Sequence, residues 1–150
     1  LKDFIRISKN NHLLVHKTLL IKDNINEEWY DTNDVVSLNS DGSFRILNRD
    51  SDFINVGGYK VNPLEVEKLI LEIDGVLDVV VIGRDNSVLG KILVANIKKD
   101  VQFSDIDLKN NIIKELKNKL QPFKLPRIIN FVEKIKYNRS GKKVRLWSGL

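Results

Sequence analysis

Near the end of the chain, Arg139-Ser140-Gly141-Lys142-Lys143-Val144-Arg145 gathers four cations around a Ser-Gly turn. Such a run is most simply a solvated basic face, yet a turn can also aim one ammonium at an anionic reaction centre. Other constellations fail on inspection. A phosphate loop of the Walker type needs a glycine where this chain has Lys136, and Gly57-Gly58 lacks the third glycine of a dinucleotide fingerprint. His12 and His16 have a helical metal spacing, but the local pattern is that of a strand, so both are expected as surface residues and no metal site is expected. Two histidines without a partner set do not make a hydrolase triad.

The totals suit a soluble globular protein. The chain has 150 residues, 42% of them hydrophobic and 30% charged, with a formal charge of +5 and no cysteine. Thiol catalysis and thiolate metal sites are therefore excluded, and no apolar run reaches the roughly 20 residues of a membrane span. Net positive charge favours anionic partners. Because the basic residues are scattered among 20 acidic ones, with no aromatic-rich strand motif, nucleic acid is not expected among them. The chain opens on Leu1 and contains no Met, which predicts a piece of a longer protein; no leader pattern opens it, and a cytoplasmic location is expected.

The elements that must carry the basic turn are short. Three strands are expected around 4–7, 13–15 and 19–21, with Asn138-Arg139-Ser140 an accidental glycosylation match. Residues 29–34 are expected in a polar loop leading to Val35-Val36, with an Asp41-Gly42 hairpin, a strand through Leu47 and a polar break at 48–52. After a strand at 53–56, Asn62-Pro63 opens a helix whose stripe is Val66, Leu69, Ile70 and Ile73, ended by Gly75. Two strands flanking a turn at 84–87 follow. Ser104 then caps a second helix with Leu108, Ile112, Leu116 and Leu120 on one face, and a strand occupies 127–132. The order β-α-β-β-α-β predicts an α+β fold, a small sheet with two packed helices, preceded by short antiparallel strands and followed by a basic arm.

Four stretches in a fixed order carry a resemblance: WYDTND at 29–34, NRDSDFINVGGYKVNPLEVE at 48–67, LQPFKLPRIINFVEKI at 120–135 and RSGKKVR at 139–145. Together they resemble the carboxyl-terminal end of the adenylate-forming superfamily, which includes the acyl-CoA synthetases, peptide-synthetase adenylation domains and luciferase-like enzymes.

That resemblance implies residues 1–48 as the end of a large AMP-binding domain and 49–150 as its mobile lid. The implied activity is an ATP-dependent acid-CoA ligase, with a carboxylic acid, ATP with Mg2+ and CoA as partners. The large domain of the same chain is the protein partner, and this portion is expected to be inactive by itself. By position in the motifs, Asp34 would hold the ribose of ATP, although Asn33 stands where the family has Gly. Arg49 would reach the nucleotide, and Ser51 takes the hinge position, flanked by Asp50 and Asp52. Gly57, Gly58, Tyr59 and Lys60 would line the CoA tunnel or the closed interface. Lys142 would enter the active site, Gly141 would free its backbone, Arg145 would anchor the arm, and Lys143 is expected to be solvated. The alternatives are a freestanding binding module with the lid fold, distinguished by the upstream reading frame, or a carrier-protein phosphopantetheine in place of CoA.

Overall fold

The computed structural model describes residues 3–20 and 27–145, and the chain divides into two compact units, Leu1–Phe53 and Ile54–Leu150. The division falls later than the expected 48/49 boundary, because Arg49 still pairs in the first sheet and a 3-10 turn, Asp50–Asp52, follows it directly.

In the first unit, β1 (Ile5–Ile7), β2 (His12–His16), β3 (Trp29–Leu38) and β4 (Phe44–Arg49) form an antiparallel sheet in the order β1-β2-β3-β4. Residues 29–34 are therefore strand and not loop, since β2 supplies ladder partners for Trp29, Tyr30 and Asp31 and β4 pairs Arg49 with Asp34. The third expected N-terminal strand is replaced at Lys17–Leu19 by a 3-10 turn, capped by the His16 ring accepting from the Thr18 amide; Ile21 lies outside the described residues. His12 and His16 are half-buried at the surface. His12 Nδ1 lies 3.0 Å from Asp31, and His16 packs edge-on against Phe4 and Trp29. Burial alone would push the Asp31 carboxyl up, but the His12 hydrogen bond, the Asn33 amide and the His12 charge together hold it below its ordinary value.

The second unit is built from β5 (Ile54–Val56), β6 (Tyr59–Val61), α1 (Pro63–Leu71), β7 (Val76–Asn86), β8 (Gly90–Lys99), α2 (Asp105–Lys119) and β9 (Ile128–Phe131). Its sheet runs β6-β5-β8-β7, with β9 parallel to β8. The observed order is β-β-α-β-β-α-β: Gly57-Gly58 closes a hairpin, so Tyr59 and Lys60 belong to a strand that was not expected. Asn62 caps α1 by accepting from the Leu64 amide at 3.0 Å, with Pro63 at the first position. Ser104 stands at the N-cap of α2 but makes no side-chain cap bond there. The β7–β8 turn lies at 87–89 and not at 84–87, because the Asn86 side chain accepts from the Val88 and Leu89 amides and draws the turn beyond itself.

Periodicity sets the packing. Val66 and Ile70 of α1 and Leu108, Ile112 and Leu116 of α2 cover the sheet face that carries Val79, Val81, Leu93, Ala95 and Ile97. The alternate residues Val80, Ile82 and Val94 form a second core with Ile135, just before the basic arm. β7 is thus buried on both faces, which explains its unbroken Val-Val-Val-Ile run. It is nevertheless an edge strand, so its outer backbone groups need partners from elsewhere.

Candidate active site

The basic arm supplies those partners. Asn138 starts the turn: its side-chain oxygen accepts from the Ser140 amide and hydroxyl and from the Lys142 amide, at 3.0, 2.8 and 2.9 Å. Gly141 takes φ +76°, a left-handed conformation that glycine adopts without a Cβ penalty. An isolated bridge, Tyr137 to Lys143, closes the loop, and the Val144 amide reaches the Lys136 carbonyl at 2.9 Å. Lys142 is exposed at the tip, and among the described residues its ammonium has no hydrogen-bond or ion-pair partner.

Its neighbours are occupied. Lys143 Nζ donates to the Val79 carbonyl at 2.6 Å and sits 3.0 Å from Asp78 and 3.8 Å from Glu67. The expectation that Lys143 is solvated is therefore wrong: its side chain folds back onto β7, where two carboxylates and a carbonyl compensate the ammonium. Arg145 donates through Nη1 to Glu67 and to the Val81 carbonyl, and through Nη2 to Glu67 Oε2 at 3.2 Å. Glu67 itself is 3% exposed and also accepts from the Val81 amide at 2.8 Å. Side chains thus occupy three successive outward-facing polar groups of the β7 edge.

A second tether joins the near stem of the arm. Tyr137 Oη donates to Asp78 Oδ2 at 2.5 Å. Burial raises the Asp78 carboxyl, but hydrogen bonds from Tyr137, Lys143 and the Val79 amide, with the Lys143 charge, outweigh it and hold Asp78 below its ordinary value. The same hydrogen bond, then burial and the charges of Asp78 and Glu67, push the Tyr137 phenol up.

In the first unit, Asp34 and Arg49 are brought together as ladder partners in β3 and β4, with Arg49 Nε 3.3 Å from Asp34 Oδ1. Asn33, in the place of the family's Gly, adopts φ +59°, and its amide donates to Asp31 Oδ1 at 2.7 Å. The position thus keeps the left-handed backbone that glycine would serve, and Asn is among the few residues that tolerate it. Ser51 lies in the Asp50–Asp52 turn at the end of this unit.

Gly57 and Gly58 both have positive φ, +58° and +88°, as a two-residue hairpin turn requires. A Cβ at Gly58 would meet nothing within 4 Å, so the glycine answers to backbone conformation and leaves the turn open to close approach. Lys60 lies exposed on β6. Tyr59 stacks on Phe123 at 4.3 Å between centroids, and the pair borders a cleft of about 330 Å³ lined also by Val56, Leu93 and Arg127. Among the described residues no group of three or more His, Asp or Glu could hold a metal ion, and no helix is long and apolar enough to cross a membrane.

Glu67, Asp78, Tyr137 and Asn138 were not singled out from the sequence. Glu67 carried a signal: it falls one position after Val66 of the apolar stripe, on a helix face that buries it. Asn138 carried another, as an Asn two residues before a Ser and three before a Gly is an Asx-turn pattern. Nothing local marks Asp78 or Tyr137, which meet across 59 positions.

Comparison with known proteins gives the family and the fold. Residues 65–142 match the family model described as the AMP-binding enzyme C-terminal domain. A 2-succinylbenzoate–CoA ligase of Listeria monocytogenes serotype 4b is 36% identical over 114 residues, covering 76% of this chain and 24% of that protein. The fatty acyl CoA synthetase of Mycobacterium tuberculosis superposes with a TM-score of 0.65 at 28% identity, over 89% of this chain and 28% of that one. The o-succinylbenzoate CoA synthetase of Bacillus subtilis, in complex with its acyl-adenylate intermediate, shares the fold, with a TM-score of 0.78 at 22% identity over 94% of this chain and 32% of that one. The chain spans about a quarter of the length of the curated relatives it matches. The expected α+β lid fold is the one found, and with the family model matching more than half of its 150 residues, this chain belongs to the AMP-binding enzyme C-terminal domain family.

Proposed function

We propose that the chain is the carboxyl-terminal portion of an ATP-dependent acid-CoA ligase, which forms an acyl-adenylate and then transfers the acyl group to CoA. In this reading residues 1–48 end the large domain, 49–150 are the lid, and Ser51 in its 3-10 turn is the hinge. One observation carries it: of the three cations that follow Gly141, Lys143 and Arg145 are held by the β7 edge while Lys142 is presented without a partner.

The chemistry follows from that presentation. A carboxylate attacking the α-phosphate of ATP brings two anions together while charge moves onto pyrophosphate. One ammonium about 4 Å away is worth roughly 4 kcal/mol at an effective dielectric near 20. Asp34, a carboxylate able to accept two hydrogen bonds at once, suits a ribose diol, and Arg49 beside it suits the nucleotide. The open Gly57-Gly58 turn and the Tyr59 ring suit a pantetheine arm, with Lys60 next to them on the same hairpin. Mg2+ accompanies the ATP phosphates in this reading; no residue described here is assigned to it, and no step is routed through it. The relatives above are CoA ligases by name, which favours CoA over a carrier-protein acceptor.

The test is acid-dependent pyrophosphate exchange by the intact protein. Lys142→Ala is expected to lower it by about two to three orders of magnitude while sparing thioester formation from a supplied adenylate. Exchange at the wild-type rate in that variant overturns the reading.

A further inference from the structure

We propose that Glu67 is a positioning residue for Lys142: its buried carboxylate holds Arg145 and Lys143 against the open edge of β7, so that the turn between them and Tyr137 holds the lysine ammonium at its tip. The proposal rests on the ligase reading for its effect on rate, and on the geometry alone for its effect on the arm.

Three observations carry it. First, the cluster is balanced, two carboxylates (Glu67, Asp78) facing two cations (Lys143, Arg145), and its contacts fall on both stems of the 137–143 loop. Second, the contacts do the work of a missing strand. Val81 N–H goes to Glu67, Val79 C=O to Lys143 and Val81 C=O to Arg145, which fixes the register of the arm along β7 to a single residue. Third, Glu67 sits on α1, within the helix-packed core, whereas its partners sit on the arm. The position of Lys142 is therefore tied to the rigid body of the unit and not to the loop's own few backbone bonds. A carboxylate this buried cannot be left without its cations, since an uncompensated buried charge is strongly unfavourable. Releasing Arg145 or Lys143 from the edge is correspondingly disfavoured, and Lys142 remains available to an incoming anion, with the exposed Arg139 on the same loop.

The experiment is hydrogen exchange on the intact protein, read at the arm amides of Lys142 and Val144 and at amides of β8, alongside adenylation kinetics. Arg145→Met and Glu67→Gln are each expected to speed arm exchange by about tenfold or more, with β8 moving less, and Arg145→Lys is expected to recover part of the protection. The kcat for adenylation falls in the same two variants, the KM for ATP holds, and thioester formation from supplied adenylate is spared. Unchanged arm exchange overturns the proposal. So does loosening of arm and β8 by one common factor, which would make Glu67 a core residue only, or a loosened arm with an unaltered adenylation rate. If Glu67→Gln fails to fold, Arg145→Met decides, because its side chain lies on the arm side of the contact. If the wild-type protein shows no acid-dependent exchange of pyrophosphate, the ligase reading falls, and the hydrogen-exchange arm of the test still decides whether Glu67 holds the loop.

Discussion

Asp34 and Lys142 are two of the side chains set against ATP in the reading above, and the molecule holds them by opposite means. Asp34 stands in a backbone ladder, paired with Arg49 of β4, where the register against β2 shifts between Asp31 and Val35. Lys142 stands on a loop closed by one isolated bridge, whose attachment to β7 is made of side-chain charge: Glu67, Asp78, Lys143 and Arg145. Ladder hydrogen bonds do not depend on the ionisation of any side chain, whereas a charged cluster changes whenever one of its members titrates or is replaced. A residue that grips the same part of ATP throughout is served by the first arrangement. One that must be delivered for a single half-reaction is served by the second.

The contrast is sharpest in kinetics. Lys142→Ala should act on kcat of adenylation, by the two to three orders of magnitude given above, because its charge matters most where phosphate charge is moving. Asp34→Ala should act chiefly on the KM for ATP, raising it by roughly tenfold to a hundredfold, the worth of hydrogen bonds to a charged acceptor. Steady-state adenylation with ATP as the varied substrate checks both. If Asp34→Ala lowers kcat at an unaltered KM, the distinction between a binding and a reacting group is wrong.

These two side chains also differ in how visible their surroundings were from the sequence. The helices were legible in detail, because Asn62-Pro63 and the stripe through Val66 and Ile70 are local signals that the core of the second unit uses unaltered. The strand through 29–38 was read as loop at its start because Asp31, Asn33 and Asp34 are poor strand formers; pairing of Asp31 with β2 and of Asp34 with β4 overrides that propensity. Lys142 was visible from its motif. What holds it was not, since Glu67–Arg145 and Asp78–Tyr137 join residues far apart in sequence, and long-range charge pairing leaves no periodic trace. Lys143 shows the cost of judging a lysine by composition: in a run of cations it reads as solvated, yet the edge of β7 claims it.

A smaller effect tests the ladder side of the comparison. Asn33 holds φ +59° immediately before Asp34, and its side chain makes none of the contacts that orient Asp34. Asn33→Ala should destabilise β3 by about 1 kcal/mol, the cost of a left-handed backbone for a residue with a Cβ and no local compensation, whereas Asn33→Gly should stay within a few tenths. Exchange of the Val36 amide, bonded to the Asn11 carbonyl at 2.8 Å, reports the difference. Equal exchange in the Ala and Gly variants would mean that the left-handed turn does not place Asp34.

The smallest effect belongs to the charged side, and its sign can be worked out at both ends of the pH scale. Asp78 is held below its ordinary value, so its contribution to docking the arm is present above roughly pH 3.9 and is lost as pH falls through the lowered folded value. Tyr137 is pushed above its ordinary value, so its contribution is complete below roughly pH 10 and is lost as pH rises through the raised folded value. Between those limits the tether should be indifferent to pH, while beyond either one the arm amides should exchange faster relative to β8. The two shifts share one hydrogen bond, with the phenol donating to the carboxylate, so they must move together. Asp78→Asn removes the charge and is expected to bring the phenol midpoint, followed by ring NMR of Tyr137, back toward 10. A midpoint that stays raised in Asp78→Asn would show that burial and the Glu67 charge, and not the Asp78 carboxylate, hold the phenol. The near stem of the arm would then be fixed by packing, much as Asp34 is fixed by its ladder, and the difference between the two sites would narrow to Glu67 alone.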